Sequence, residues 1–372
     1  MDISWGELNN NILKIAKEKH IPLLGAFELT SRCNLACKMC YINLSASDQE
    51  VENKELTANQ WIELAREARD EGMLYLTLTG GEVFLRPDLE LICTELSKLG
   101  LIISIATNAT LIKSESIKWI RSIPLLTFSV SIYGASEESY YHLCGKENVF
   151  DTTMKTLELF MQNSIPFKVK TVAAKSNKAE LTKIFDLLNK RKIPMGLVDY
   201  LAPRFSESSC VNSCERMDPK ELIDSENVLS EHIKKSLLNQ QSARLNKEMQ
   251  KTFKEDCITD RNSESINKDY AFEKCLSGYC AFWIHHNGNM VPCGLMDSPF
   301  TKPVVLGFKK AWKDLLSDCM NIPICKECKQ CKNREFCLTC PARLKSETGL
   351  FNKPAKYLCD LALIRKSTAK EA

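Results

Sequence analysis

Three cysteines, Cys33, Cys37 and Cys40, fall within the stretch "TSRCNLACKMCY" that runs from Thr30 to Tyr41. The spacing is C-x3-C-x2-C, which lets one loop wrap three thiolates around a single centre. Thiolates are soft donors and suit zinc or iron–sulfur clusters. A structural zinc or a cubane cluster normally takes four protein ligands. No fourth cysteine is near: the next is Cys93, inside a helical pattern. Two chemistries fit. One is zinc with a remote fourth ligand. The other is a [4Fe–4S] cluster with one iron left open, as a metal needs if it is to bind and act on something else.

The elements around this loop alternate. Six short runs rich in branched residues read as strands: "GAFELT", "MLYLTLTG", "LIISIATN", "LLTFSVSI", "FKVKTVAA" and "MGLVDYL". Two-faced helical patterns lie between them, with capping residues expected at Thr57, Asp88 and Ser114. Such alternation predicts an α/β fold, a partial (β/α)6 barrel of the TIM type, with parallel strands and helices outside. Ligands then sit at the carboxyl ends of the strands, where the cysteine loop follows "AFELT". The chain divides into an N-terminal helix (1–24), the barrel (25–202), a charged helical bridge (203–274) and a small cysteine-rich domain (275–372) with little continuous helix.

Eighteen cysteines in 372 residues set this chain apart. A disulfide scaffold suits small secreted domains, and no signal peptide is visible here. Reduced, metal-binding thiols fit better. The net charge of +3 projects no strong field toward nucleic acid or an anionic membrane, and no apolar run is long enough to span a bilayer.

C-x3-C-x2-C followed by an aromatic, Tyr41, resembles the signature of the radical S-adenosylmethionine (SAM) enzymes. The resemblance implies that SAM occupies the open iron and is cleaved to a 5′-deoxyadenosyl radical, the cofactor carrying the hard chemistry. Further residues match at strand ends. Thr79, Gly80, Gly81 and Glu82 resemble the family's GGE motif, in which backbone and carboxylate receive the methionine amine; Val83 stands where the family often has proline. "ATNAT" brings Thr107 and Asn108 over the site, "SVSIYG" offers Ser131 to ribose or carboxylate, and "LVDYLAP" is the expected adenine wall.

The C-terminal cysteines are similar to a SPASM domain. "CLSGYCAFWIHHNGNMVPC" resembles its opening and "CKQCKNREFCLTCPAR" its close. The resemblance implies two auxiliary [4Fe–4S] clusters, one on Cys275, Cys280, Cys293 and Cys340, the other on Cys328, Cys331, Cys337 and Cys359. Two zinc sites are the plain alternative from spacing alone. If Cys280 is not a ligand, the first cluster has an open iron for a substrate thiol. Cys325 forms another C-x2-C with Cys328 and is a substitute ligand. Cys93 and Cys319 read as small apolar residues, Cys210 and Cys214 as idle loop thiols or hydrogen donors, and Cys144 as a thiol that reaches the site. Asp297 is the catalytic carboxylate candidate. In sulfatase-maturing relatives the carboxylate directly follows the matching cysteine, where this chain has Gly294. His285 and His286 are expected in a turn, and Arg204 either pairs with a peptide carboxylate or is solvated.

Domains of this kind mostly oxidise peptides or proteins. The leading expectation is oxidative modification of a ribosomally made peptide or protein, by thioether or carbon–carbon crosslinking or a related C–H oxidation. A redox-neutral peptide epimerase and an enzyme on a small metabolite are the alternatives; a non-catalytic iron–sulfur sensor or scaffold is the alternative of another class. The intact Glu82, Asn108 and Ser131 set speaks against the last. About two dozen residues precede the first strand, so leader recognition is expected to use a separate protein, the bridge or no leader. A flavodoxin- or ferredoxin-like electron donor and an anaerobic cytoplasmic setting complete the expectation.

Overall fold

The computed structural model describes residues 5–42, 44–203, 215–238, 270–273 and 275–371. Arg204, Cys210, Cys214 and Cys257 lie outside the described residues.

All six expected strands form: β1 (Leu24–Thr30), β4 (Tyr75–Gly80), β5 (Ile102–Thr107), β6 (Leu126–Ile132), β7 (Phe167–Val172) and β8 (Met195–Val198). Each pairs in parallel with the next. Two short strands, β2 (Arg32–Cys33) and β3 (Leu44–Ser45), pair with each other at the base of the cysteine loop. Branched and aromatic side chains such as Phe27, Leu78, Ile105 and Val130 fill the inner layer and are fully buried. Amphipathic helices cover the outside. Ala58–Asp70 starts at a capping box on Thr57 and buries Trp61, whose ring meets Phe27 at 4.9 Å.

Two of the three expected caps do not form. Asp88 stands at an N-cap but makes no side-chain cap bond, because its carboxylate takes the Arg86 guanidinium at 2.7 and 2.9 Å. Glu115, not Ser114, precedes the next helix, and it makes no side-chain cap bond.

The sheet crosses the expected boundary at residue 275. Strand β9 (Ala281–Ile284) pairs in parallel with β1, and β10 (Met290–Val291) pairs antiparallel with β9. The result is one open sheet in the order β10-β9-β1-β4-β5-β6-β7-β8. The C-terminal region also holds more helix than its cysteine content suggests. Phe308–Met320 is amphipathic and buries Phe308, Ala311, Trp312, Leu315 and Cys319. Cys93 and Cys319 are fully buried in helices, as small apolar residues.

One buried carboxylate fastens the two halves of this sheet. Glu28 of β1 lies 2.8 Å from His285 Nδ1 and 3.3 Å from His286 Nδ1, and it accepts from Trp283 Nε1 at 3.2 Å and from the Ser31 hydroxyl. The two histidines therefore hold the β1–β9 seam. Burial alone would raise the Glu28 pKa, but hydrogen bonds with His285, His286 and Ser31 hold it at about 2. Burial would lower the His285 pKa, and Glu28 raises it above the usual value.

Linkage gives the sign. The depressed Glu28 contributes stability that is full above the ordinary carboxylate value and is lost as pH falls toward 2. The elevated His285 contributes stability that is full below the ordinary histidine value of 6.5 and is lost as pH rises through its raised value. Glu28→Gln is expected to cost about 3 kcal/mol, as breaking a buried ion pair does. Thermal unfolding at pH 4.5–6.5 should show the largest gap between wild type and variant. The gap should narrow on both sides of that window; a gap independent of pH would contradict the ion pair.

Candidate active site

The chain bends at Ser31 after β1 and enters the cysteine loop through Arg32. A buried ion network fixes that entry. Arg32 donates to Glu55 at 2.9 and 3.1 Å, and Arg86 donates to Glu55 at 3.3 Å and to the Leu29 carbonyl at 3.1 Å. The neighbouring β4 end packs directly on this backbone. Gly81 N donates to Thr30 O at 2.8 Å and Glu82 N to Arg32 O at 2.9 Å. A Cβ on Gly80, whose φ is +142°, would stand 1.9 Å from Thr30 O, and one on Gly81 would stand 2.2 Å from Arg32 O. The glycine pair is required by this close approach.

Cys33, Cys37 and Cys40 all line one cavity of about 1090 Å³ at the carboxyl ends of the strands. Tyr41, Thr79, Gly80, Gly81, Asn108 and Ser131 line it too. The far wall comes from β8 (Leu197, Val198), from helix Pro219–Leu238 and from C-terminal residues such as Phe336, Leu338 and Arg343. Arg365 staples this rim, donating to Asp199 and Glu226 at 3.0 Å each.

The thiols carry their own hydrogen-bond donors. Leu35 N donates to Cys33 Sγ at 3.4 Å, and Asn108 Nδ2 approaches the same sulfur at 3.7 Å. Asn108 is held in turn by Asn34 Oδ1 at 2.9 Å and Thr110 Oγ1 at 2.6 Å. Burial pushes the Cys33 thiol up to about 12, with Glu82, Cys37 and Cys40 adding to the rise. The Cys37 thiol is raised by its hydrogen bond with Cys144 and by burial. Such thiols need a metal to become thiolates at neutral pH. Three soft donors on one cavity, with no fourth cysteine lining it among the described residues, suit an iron–sulfur cluster with a free coordination position. Among the described residues, no three Cys, His, Asp or Glu side chains converge as ligands of a single ion would.

Three expected residues sit elsewhere than the sequence suggests. Glu82 is fully buried and does not line the cavity. Its carboxylate accepts from Phe84 N at 3.1 Å, Thr107 Oγ1 at 2.7 Å and Asn108 N at 2.7 Å, so it braces the β4 end against the β5 end. Burial raises its pKa against those three donors. Asp297 is exposed, paired with Lys345 and Ser298, and absent from the cavity wall. Cys144 is fully buried beneath the loop and does not line the cavity either.

Of the C-terminal thiols, Cys337 and Cys359 lie within electrostatic reach of each other and of both Cys328 and Cys331. Burial lifts Cys328 to about 12, helped by a hydrogen bond with Cys325, which is the fifth thiol of that group. Cys280 is fully buried, whereas Cys275, Cys293 and Cys340 are half-buried. Tyr41 is half-buried, within reach of both Cys40 and Cys293. Sequence reasoning missed Glu28, Arg32, Glu55 and Arg86 as parts of the site's frame, since nothing in their spacing joins them.

Residues 27–188 match the radical SAM superfamily. This stretch is a radical SAM domain. The whole chain is similar to AdoMet-dependent heme synthase of Methanosarcina barkeri, at 27% identity over 358 residues, 90% of this chain and 96% of that protein. It is also similar to the sporulation killing factor maturation protein SkfB of Bacillus subtilis, at 23% identity over 282 residues, 76% of this chain and 62% of SkfB. The fold is that of Streptococcus suis SuiB bound to S-adenosylmethionine, with a TM-score of 0.69 at 18% identity over 96% of this chain and 84% of SuiB. The open parallel sheet and its helices thus bear out the partial-barrel expectation. No helix among the described residues is long and apolar enough to cross a membrane.

Gly81→Ala tests the frame directly. The added methyl overpacks against backbone, so a destabilisation of about 1–3 kcal/mol is expected. Iron bound at the three-cysteine loop should fall with it, while Gly6→Ala, where a Cβ meets nothing and the backbone is ordinary helix, should leave iron content unchanged.

Proposed function

We propose that this radical SAM enzyme binds a [4Fe–4S] cluster on Cys33, Cys37 and Cys40 and oxidatively modifies a ribosomally made peptide or protein. The observation that carries the reading is the cavity of about 1090 Å³ at the strand ends. The cysteine loop, the strand ends and the C-terminal region all line it, so substrate, SAM and cluster would meet in one cleft. When bound, the cluster and SAM supply a 5′-deoxyadenosyl radical that abstracts a hydrogen atom.

The chain's own residues supply position. Thr79, Gly80 and Gly81 offer backbone polar groups to the methionine amine, with no side chain in the way at the glycines. Asn108 and Ser131 offer an amide and a hydroxyl to the carboxylate and ribose. Val172, Leu197 and Val198 give adenine an apolar wall. Glu82 holds Asn108 in place from behind. Helix Pro219–Leu238 and Phe336 exclude water from the substrate side.

An oxidative outcome requires loss of a second electron after hydrogen abstraction. Two auxiliary clusters, on Cys275, Cys280, Cys293 and Cys340 and on Cys328, Cys331, Cys337 and Cys359, would accept it. The proximity of the second set supports that assignment, and Cys325 is close enough to substitute. Tyr41, near both Cys40 and Cys293, would lie between the radical-generating cluster and the first auxiliary one. A flavodoxin- or ferredoxin-like protein would supply the reducing electron. Similarity to SkfB, a maturation protein, supports the peptide class.

A second reading is a small-metabolite substrate. It is supported by similarity to a heme synthase along nearly its entire length.

One experiment separates these. Co-expressed anaerobically with a short peptide encoded beside its gene, the enzyme should lower the peptide's mass by two hydrogens and form 5′-deoxyadenosine. A Cys33/Cys37/Cys40→Ala variant should do neither and should keep its auxiliary iron. An unchanged peptide mass with deuterium gained in heavy water would mean epimerisation. 5′-Deoxyadenosine made with no peptide change in either solvent would favour the metabolite.

A further inference from the structure

The cysteine loop rests on the end of a helix that the proposed chemistry does not use. Helix Glu137–Cys144 stops at Gly145, which is left-handed at φ 69° and donates to Tyr141 O at 2.9 Å. The last carbonyls of any helix lack intrahelical partners. Here two of them take the cysteine loop instead: Ala36 N donates to Cys144 O at 3.2 Å and Lys38 N to Leu143 O at 2.9 Å. The residues on either side of Cys37 are thereby pinned to the helix end. This pairing sets Cys144 beneath the loop that carries Cys37, and a hydrogen bond between the two thiols raises the Cys37 thiol above its ordinary range. The Tyr133 hydroxyl, one residue beyond β6, bonds the same Cys37 sulfur. Cys144 is fully buried and Cys37 is 7% exposed, so the Cys144 side of the pair is shielded from water.

We infer that Cys144 is a positioning residue for the cluster: its S–H donates to the Cys37 thiolate once iron is bound, raising the cluster's reduction potential. The inference rests on the reading of Cys33, Cys37 and Cys40 as cluster ligands. The physical reason is charge. Reduction adds an electron to a cluster that already carries thiolate charge, and a donor to ligand sulfur stabilises the reduced state more than the oxidised one. A metal-bound sulfur cannot itself donate, so the proton between the two sulfurs belongs to Cys144. Cys144 is accordingly not a hydrogen-atom donor to the substrate: it has no surface on the cavity.

The test uses the full chain, reconstituted anaerobically with iron and sulfide. Potentiometric titration is followed by electron paramagnetic resonance, reading only the reduced-cluster signal that changes when SAM is added. Cys144→Ala, which removes the donor, should shift that signal to a lower midpoint potential. Cys144→Ser, which keeps a donor of similar size, should hold the midpoint at or above the wild-type value. Tyr133→Phe removes the other donor and should also shift the midpoint down; if the alanine variant does not fold, Cys144→Val, which fills the space of the thiol without a donor, should show the same lower midpoint.

Three results would overturn the inference. One is an unchanged midpoint in Cys144→Ala. Another is equal shifts in the alanine and serine variants, which would make the role packing alone. The third is loss of one cluster's iron in both, which would make Cys144 a ligand. If wild type itself shows no SAM-responsive signal, the cluster reading fails and not merely this deduction from it.

Discussion

The backbone of Gly80 and Gly81 lies on the backbone of Thr30, Ser31 and Arg32 with no space for a side chain between them. The position of the cysteine loop follows from that contact. It brings the end of β4 against the turn out of β1, so Arg32 is held on Glu55 and Cys33 is presented to the cavity. From the same end of β4, Glu82 reaches across to Asn108 N and Thr107 Oγ1 and fixes the end of β5. Asn108 then reaches back toward Cys33. The first three barrel strands are thus locked to one another at their carboxyl ends by backbone contact and buried polar groups. A site that must orient a cofactor gains from such rigidity, because small displacements cost rate.

A second constraint couples the barrel to the C-terminal region. Strand β9 extends the barrel sheet beyond β1, and Glu28 joins them through His285, His286 and Trp283. Cys280 and Cys293 flank this β9–β10 unit, so the seam also sets where the C-terminal thiols stand relative to the cysteine loop. The proposed transfer of an electron to auxiliary clusters would depend on separation, and a continuous sheet with a buried ion pair holds separation better than a flexible linker would.

Much of this was legible in the sequence, for reasons that differ by element. The six barrel strands read clearly because each is a short branched run between two-faced helices. The three-cysteine loop read clearly because ligand chemistry demands particular residue types at close spacing. β9 did not, since "AFWI" is a four-residue apolar run whose partner, β1, is some 250 residues away in sequence. The helix Phe308–Met320 was hidden by the cysteines on both sides of it. Glu82 was read as a ligand-binding carboxylate, because the direction of its side chain depends on where β5 places Asn108. Cys144 was read as reaching the site; it lies beneath Cys37 and off the cavity wall, because the end of its helix packs under the cysteine loop. Arg86 took Asp88 away from its helix cap, a competition that no local pattern records.

The central claim is that Cys33, Cys37 and Cys40 hold a cluster whose remaining iron binds SAM in this cavity. The most direct measurement is electron–nuclear double resonance on the reduced enzyme with SAM carrying nitrogen-15 in its amine. A nitrogen coupling to the cluster is predicted for wild type. SAM bound to the enzyme with no such coupling would contradict the account.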